Sequence, residues 1–497
     1  MRYTNELPAE LPKAPVDTGL YMGFWRSKEL VSTLAFVALP VVIFLAAHFL
    51  DTDVPSPIFY GFVALLAPAM FWRVKRDPEW LLAAFILYIP LAKSYVLPLG
   101  PGVNATNMFM AGMLIAWVSR ARREGRPMFA SMPMTGVVKA WAILSSLSFI
   151  TAIFTRGLDE FMDQRVGYIR VWLDQFFVFF AFINLIRDAA MARRIAVYLC
   201  LGGFVVTFCG FCEWLQKGDA GSIEKSRLLG PLQQPNDLAA FLVYSSGPFI
   251  AAFIEYMPRL RAILLMPYLV MVFRVLLGAF SRGGYIAYGV EALIALSLRG
   301  KLMLAAAVGV AAIVVTGFPE LLPESMVARM NETKSESGEG LDKSSETRLI
   351  LWRAALNMTA ESPIFGKGFY TFPFLKAEYT EIEVMESDNH NMYLYIASQM
   401  GVPALLAIII AIARLYWLST RVYRRAADPW GRVVGLGTAS LCGGVAAVNM
   451  FGSRMLDVSV MGYVWIYAAV ISHLWAEVQP KPAVIDDGQQ HFRGARA

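Results

Sequence analysis

Histidine and cysteine are scarce in this 497-residue chain, with four of each. Charge is scarce too: Asp, Glu, Lys and Arg make up 16% of residues, against about 25% in a soluble globular domain. Such a low charge excludes the string of soluble domains that this length would otherwise suggest. The histidines (His48, His390, His473 and His491) are far apart, and no Cys/His cluster has ligand spacing, so no metal site is expected. Cys200, Cys209, Cys212 and Cys442 all lie in apolar blocks. The "CGFC" at 209–212 resembles a redox dithiol but lacks the βαβ context that gives the motif meaning, so inert buried thiols are the better reading. The net charge of +6 is no nucleic-acid footprint, because the basic residues are spread over many short loops.

Apolar residues are abundant instead, at 57%. They fall in repeated blocks of about 20, the length that crosses a bilayer as helix. The fold expected is an all-α polytopic integral membrane protein, with every backbone polar group satisfied inside its helix or by neighbouring protein. About 28 polar, Pro-containing residues precede the first block and no A-x-A-like site follows it, so no cleaved signal peptide is expected. Fourteen spans are read, at roughly 29–49, 57–72, 79–97, 104–119, 134–154, 171–186, 195–214, 236–254, 262–280, 284–298, 302–318, 392–417, 433–450 and 458–476.

Alternate loops are rich in arginine. Arg73, Lys75 and Arg76 follow the second span, and Arg120, Arg122, Arg123 and Arg126 the fourth. Arg187, Arg193 and Arg194 follow the sixth, Arg259 and Arg261 the eighth, and Arg299 and Lys301 the tenth. Arg421, Arg424, Arg425 and Arg432 follow the twelfth. The intervening loops, such as "DTDVPSP" from Asp51, carry few or no basic residues. The positive-inside rule makes the arginine-rich loops and both termini cytoplasmic. The expected organisation is a cytoplasmic tail (1–28), a transmembrane bundle of about eleven helices (29–318), a large outer loop (319–391), the C-terminal spans (392–476) and a second cytoplasmic tail (477–497).

The outer loop is too long for a passive connection. Its "SGEGLDKSSE" reads as flexible, and "SSETRLILWRAALNMTAESP" as a helix. Ser344 or Ser345 can cap that helix, Leu349, Trp352 and Leu356 recur at helical spacing, and Pro363 lies just past its end. A Gly- and aromatic-rich stretch, "GKGFYTFPF", then leads to His390 at the polar edge of the twelfth span. His390 has two readings: part of an N-cap cluster with Asp388, Asn389 and Asn391, or a proton acceptor near neutral pH.

Cations on the outer side break the charge rule and are therefore informative. Arg282 sits in the tight turn "SRGG" between two spans, where a charge is costly and usually has a partner or a task. Arg348 falls in the first turn of the expected outer helix, where a cation opposes the helix dipole. Arg170 lies just before the sixth span. Arg156, Arg165, Lys217, Lys225, Arg227 and Arg454 are outside as well. Arg156, Arg165 and Lys217 read as headgroup anchors or surface ion pairs. Arginine suits phosphate because its planar fork grips two oxygens and stays charged.

Together these residues resemble the O-antigen ligase and polysaccharide polymerase superfamily of bacterial inner-membrane glycosyltransferases. The motifs come in the family's order: "LGPLQQPNDLAAFL" ending its Pro-Asn element on Asn236, "SRGGY" with Arg282, the large loop, "RLILWRAA" with Arg348, and "HNMYLYIASQMG" from His390 and Asn391 to Gly401. "SPIFGKGF" matches a Pro…Gly-x-Gly stretch of the loop. The resemblance covers about residues 165–420. Trp352 departs from the usual Leu, and fourteen spans exceed the roughly twelve of many members.

The resemblance implies about 12–14 transmembrane helices with one large, partly helical periplasmic loop, in a GT-C-like arrangement. It implies glycan transfer from an undecaprenyl-diphosphate carrier by single displacement with inversion, without metal or other cofactor. Arg282 and Arg348 would hold the leaving diphosphate, with Arg170 a third cation, and His390 would take the acceptor proton. Asn391 would position the sugar or cap the helix, and Asn236 and Tyr393 would contribute to substrate binding. Phe369–Phe374, Tyr379, Tyr393 and Tyr395 can stack on sugar rings or serve as interfacial belt aromatics. The expected activity is that of a polymerase acting on a lipid-linked repeat unit. The alternatives are an O-antigen ligase acting on lipid A–core, a protein O-oligosaccharyltransferase, and, in a different class, a lipid-linked sugar flippase. Expected partners are the donor, the glycan or lipid A–core acceptor, the bilayer, and chain-length regulator or export proteins.

Overall fold

The computed structural model describes residues 77–94, 98–100, 103–164, 166–217, 226–257, 259–317, 343–381 and 384–479, with residues 27, 28, 30 and 33. The expected spans at 29–49 and 57–72 lie outside the described residues apart from Leu30 and Thr33, as do Arg165, Lys225 and the first part of the long loop. All twelve remaining spans are helical.

In chain order the helices are α1 (Glu79–Tyr88, extended by a 3-10 turn to Leu91), α2 (Ala105–Glu124), α3 (Thr135–Arg156), α4 (Leu158–Gln164), α5 (Val166–Leu185) and α6 (Ala189–Lys217). Then come α7 (Pro235–Tyr256), α8 (Met266–Gly278), α9 (Arg282–Arg299), α10 (Lys301–Gly317) and α11 (Lys343–Glu361). The last four are α12 (Met392–Met400), α13 (Val402–Arg425), α14 (Pro429–Val448) and α15 (Val458–Glu477). The only strands among the described residues form a minimal antiparallel ribbon, Pro98–Gly100 with Val103–Asn104. Seven helices, α3, α5, α6, α7, α13, α14 and α15, are each long and apolar enough to cross a membrane. The chain is a multi-pass membrane protein.

Local chemistry sets the helix starts. Asn104 caps α2, Ser281 caps α9, Asp428 caps α14 and Asp457 caps α15, each accepting a backbone N–H of the first turn. Proline follows the cap at Pro235 and Pro429, where its missing N–H costs nothing. The centre of the bundle is α7, α14 and α15, whose apolar windows are 83–89% buried, whereas that of α3 is the least buried of the seven at 28%. Helices α7, α9 and α14 pack closely through small residues: a Cβ on Gly437 would sit 2.6 Å from the Pro248 Cα. With lipid as the solvent, such close backbone approach is what holds helices together.

Two expectations need correction. The span read at 392–417 is two helices, broken at Gly401, whose φ of +88° carries the chain round a corner. The segment after α11 docks at this corner: Lys367 N donates to Ser398 O at 2.8 Å, Gly368 N to Gln399 O at 3.0 Å and Val402 N to Pro363 O at 2.8 Å. The outer helix also begins at Lys343, so Ser345 lies inside it rather than capping it, and Arg348 falls in the second turn. Its buried face is Leu351, Ala354, Ala355 and Met358, which pack on Phe372 and Leu375; Leu349 and Leu356 are exposed.

Candidate functional site

The helices alternate in direction, so the starts of α2, α5, α7, α9, α12 and α15 share one end of the bundle with the last turns of α6, α8 and α14. Every predicted site residue lies at this end. The opposite end holds the arginine-rich loops, locked by ion pairs: Arg194 grips Glu79 with two bonds of 2.7 Å, and Arg193 bridges Asp428 and Glu477 at 2.6 Å each. A cavity of about 760 Å³ opens there between Trp117, Arg126, Arg187 and His473, and no predicted site residue lines it.

His390 is held by the chain on both sides of it. Its φ is +54°, in the left-handed region that side chains rarely adopt. On one side Asn389 is fully buried, accepts the Asn391 N–H at 3.1 Å and has its own carbonyl bonded by Trp352 Nε1 at 2.9 Å. On the other, Asn391 caps α12 by accepting from Tyr393 N at 3.0 Å and Leu394 N at 3.2 Å. The N-cap reading therefore belongs to Asn391, and His390 is freed from it. The imidazole is half-buried, with Nδ1 3.7 Å from Asp388 Oδ2.

Electrostatics join His390 to the outer cations. Burial lowers its pKa from the ordinary 6.5; Asp388 pulls it up, Arg348 and Arg454 push it down, and Glu386 pulls it up. Arg348, from α11, thus lies within electrostatic reach of His390. Arg454 joins them from the connection between α14 and α15. It is nearly buried and anchored through Nη1 to Asp237 at 2.6 Å and Gln234 at 2.7 Å.

That connection, residues 449–457, is the hub of this end. Asn449 O accepts the Met392 N–H at 2.9 Å, Ser453 Oγ donates to Asp388 at 2.8 Å, and Asp457 and Asp237 share Lys93. Phe451 touches the first turn of α9, where a Cβ on Gly283 would sit 2.8 Å from the Phe451 Cβ. Arg282, the first residue of α9, precedes Gly283 in the chain and is half-buried. Asn236 belongs to Arg282's side of the hub: Arg227 spans from the Ala279 carbonyl at 3.2 Å to Asn236 Oδ1 at 3.4 Å.

Other predicted residues stand apart. Arg170 is exposed and donates to Asn107 Oδ1 at 2.8 Å. Tyr393 spends its hydroxyl on Ala446 O at 2.9 Å, fastening α12 to α14. Phe369 and Phe372 are core residues. Tyr370, at φ +55°, instead stacks on Tyr168 of α5 with ring centroids 3.9 Å apart, and it lies within electrostatic reach of Asp388. Tyr168 is 48% exposed. Among the described residues no group of three or more His, Cys, Asp or Glu side chains could hold a metal ion.

The arrangement, one imidazole among guanidinium groups on the side opposite the basic loops, coincides with a family match. Residues 267–409 match the model of the O-antigen ligase family. That O-antigen ligase segment contains Arg282, Arg348, His390, Asn391 and Tyr393, and it is narrower than the stretch that resembles the family in sequence. Arg170 and Asn236 precede it, and Arg454 follows it. No curated protein matches the chain.

Sequence reasoning underrates Arg454, Ser453 and Asp388. The signal for the first was its sign on the outer side of a short loop; Asp388 looks like one more capping residue until Ser453 is seen holding it.

Proposed function

We propose that the chain is an inverting, metal-independent polymerase of a surface or exported polysaccharide, which moves glycan from an undecaprenyl-diphosphate carrier to a sugar hydroxyl of another lipid-linked repeat unit. The observation that carries this reading is that His390 lies within electrostatic reach of Arg348, both inside the segment that matches the O-antigen ligase model. The reaction end faces the periplasm of the bacterial inner membrane, because the opposite end carries the arginine-rich connections that the positive-inside rule assigns to the cytoplasm.

The chemistry follows from charge. The leaving diphosphate gains negative charge as the glycosidic bond breaks, so fixed guanidinium groups near it lower the barrier. Arg282 and Arg348 take that role. Arg454 adds positive potential, although one of its nitrogens is committed to Asp237 and Gln234. The acceptor hydroxyl must lose a proton as it attacks, and a neutral His390 accepts it. Tyr168, backed by Tyr370, offers an exposed aromatic face on which a sugar ring can stack. Arg170 and Asn236 are assigned to binding of donor or acceptor.

The test is a deletion strain complemented with single variants. Loss of long chains with single-repeat products remaining identifies a polymerase, and long chains left on the carrier identify a ligase. Arg282→Ala, Arg348→Ala and His390→Ala should each insert normally and restore no polymer. Normal polymer from all three would end the proposal.

A further inference from the structure

We infer that Asp388, held by Ser453, is the positioning residue that prepares His390 to accept a proton, so that a Ser453–Asp388–His390 relay is assembled from two separate outer segments of the chain. The inference rests on the transfer reaction proposed above. Its geometry is independent of that reading.

Asp388 lies two residues before His390, and its carboxylate is divided between two tasks. Oδ1 accepts the Ser453 hydroxyl at 2.8 Å, and Oδ2 faces His390 Nδ1 at 3.7 Å. The second separation is longer than a hydrogen bond; catalytic bonds commonly tighten only when substrate is bound. Ser453 is itself almost buried and comes from the hub that Asn449, Arg454 and Asp457 fix to α12, α7 and Lys93. The rotamer of Asp388 is therefore set by a rigid part of the bundle rather than by its own loop.

A carboxylate at Nδ1 favours the tautomer with the proton on Nδ1 and leaves the Nε2 lone pair open. In the reaction Nε2 takes the proton of the acceptor hydroxyl. The freed oxygen bonds to the anomeric carbon, and the bond from that carbon to the diphosphate oxygen breaks, its electron pair leaving on the diphosphate. The imidazolium so formed sits between Arg348 and Arg454, which disfavour it, and Asp388 and Glu386, which favour it. Asp388 is the nearer carboxylate by sequence and the larger influence, so it offsets much of the repulsion from the two arginines.

The test reads His390 directly. The full chain in detergent micelles, labelled with [13C]histidine, shows only four imidazole signals, and His390→Gln assigns the one of interest. Asp388→Asn should lower the His390 midpoint by about one unit, since an opposing charge at this range is removed. Ser453→Ala should lower it by less, and Ser453→Thr should restore it; this pair serves if Asp388→Asn does not insert. In the complemented deletion strain Asp388→Asn should cut polymer formation about tenfold or more. An unmoved midpoint in both Asp388→Asn and Ser453→Ala overturns the relay, as does full polymer from Asp388→Asn where His390→Gln makes none. Full polymer from His390→Gln would instead sink the role of His390 in transfer, and the midpoints would still decide the pairing.

Discussion

His390 occupies a backbone conformation that costs of order 1 kcal/mol or more for a residue with a side chain, yet it is held there by buried Asn389 on one side and the Asn391 cap on the other. The strain turns the imidazole out of the helix start. Burial and the two arginines keep it neutral, so at pH 7 it is ready to accept a proton. The rate of transfer should therefore hold through neutral pH and fall only as pH drops through a value below 6.5, measured as polymer formed by membranes over a pH series. His390→Gln should lose about a hundredfold or more at neutral pH and should no longer show the fall with acidity that His390 causes. Stability has the same sign: the folded pKa is depressed, the unfolded chain binds the extra proton more readily, and the contribution of His390 is lost as pH falls below about 6.5. His390 stands out in the sequence because histidine is scarce, and Arg282 and Arg348 because a charge-poor chain has few reasons to place cations on its outer side. Arg454 shares that signal but sits in a loop whose folding over α7 and α12 no local pattern reveals.

At the scale of elements, every apolar block in the described region forms a helix, since blocks of this length have no other way to satisfy their backbone in lipid. Breaks inside blocks are harder to see. Gly401 reads as one small residue in a continuous apolar run, and its role depends on partners some thirty residues earlier in the chain. A Cβ at Gly401 would overlap the Ile364 carbonyl oxygen, and one at Gly366 would overlap the Gln399 backbone, so the loop and the α12–α13 corner fit only as glycine. Both positions also have positive φ, of +88° and +66°. Gly401→Ala should detach residues 362–368 from the corner and destabilise the outer subdomain by about 2 kcal/mol or more. Limited proteolysis in detergent should show new cleavage near Ile364, whereas Gly136→Ala, at a position with open space around it, should leave the digest unchanged. The buried face of α11 is hard to read for a related reason. Periodicity identifies a helix, but which stripe is covered depends on Phe372 and Leu375, contributed by a turn that composition alone does not place.

For the whole molecule, the two ends differ in kind as well as in sign. The arginine-rich end is closed by pairs between neighbouring helices, Arg194 with Glu79 and Arg432 with Glu255 at 2.7 Å among them. The other end is organised round one connection, residues 449–457, that gathers α1, α7, α9 and α12 and leaves His390 at its edge. Such a division suits an enzyme whose scaffold is held from one side while a lipid-linked substrate approaches on the other. It commits the protein to a sidedness that can be measured. The native cysteines are unpaired and lie within helices, so they compete little with an introduced thiol. Met385, 86% exposed and close to His390 in sequence, and Arg126, with a side chain 65% exposed, mark the two ends. In intact spheroplasts Met385→Cys should react with a membrane-impermeant maleimide, and Arg126→Cys should react only after the membrane is opened. The reverse pattern would put the imidazole and its arginines on the cytoplasmic side, where periplasmic polymerisation cannot use them.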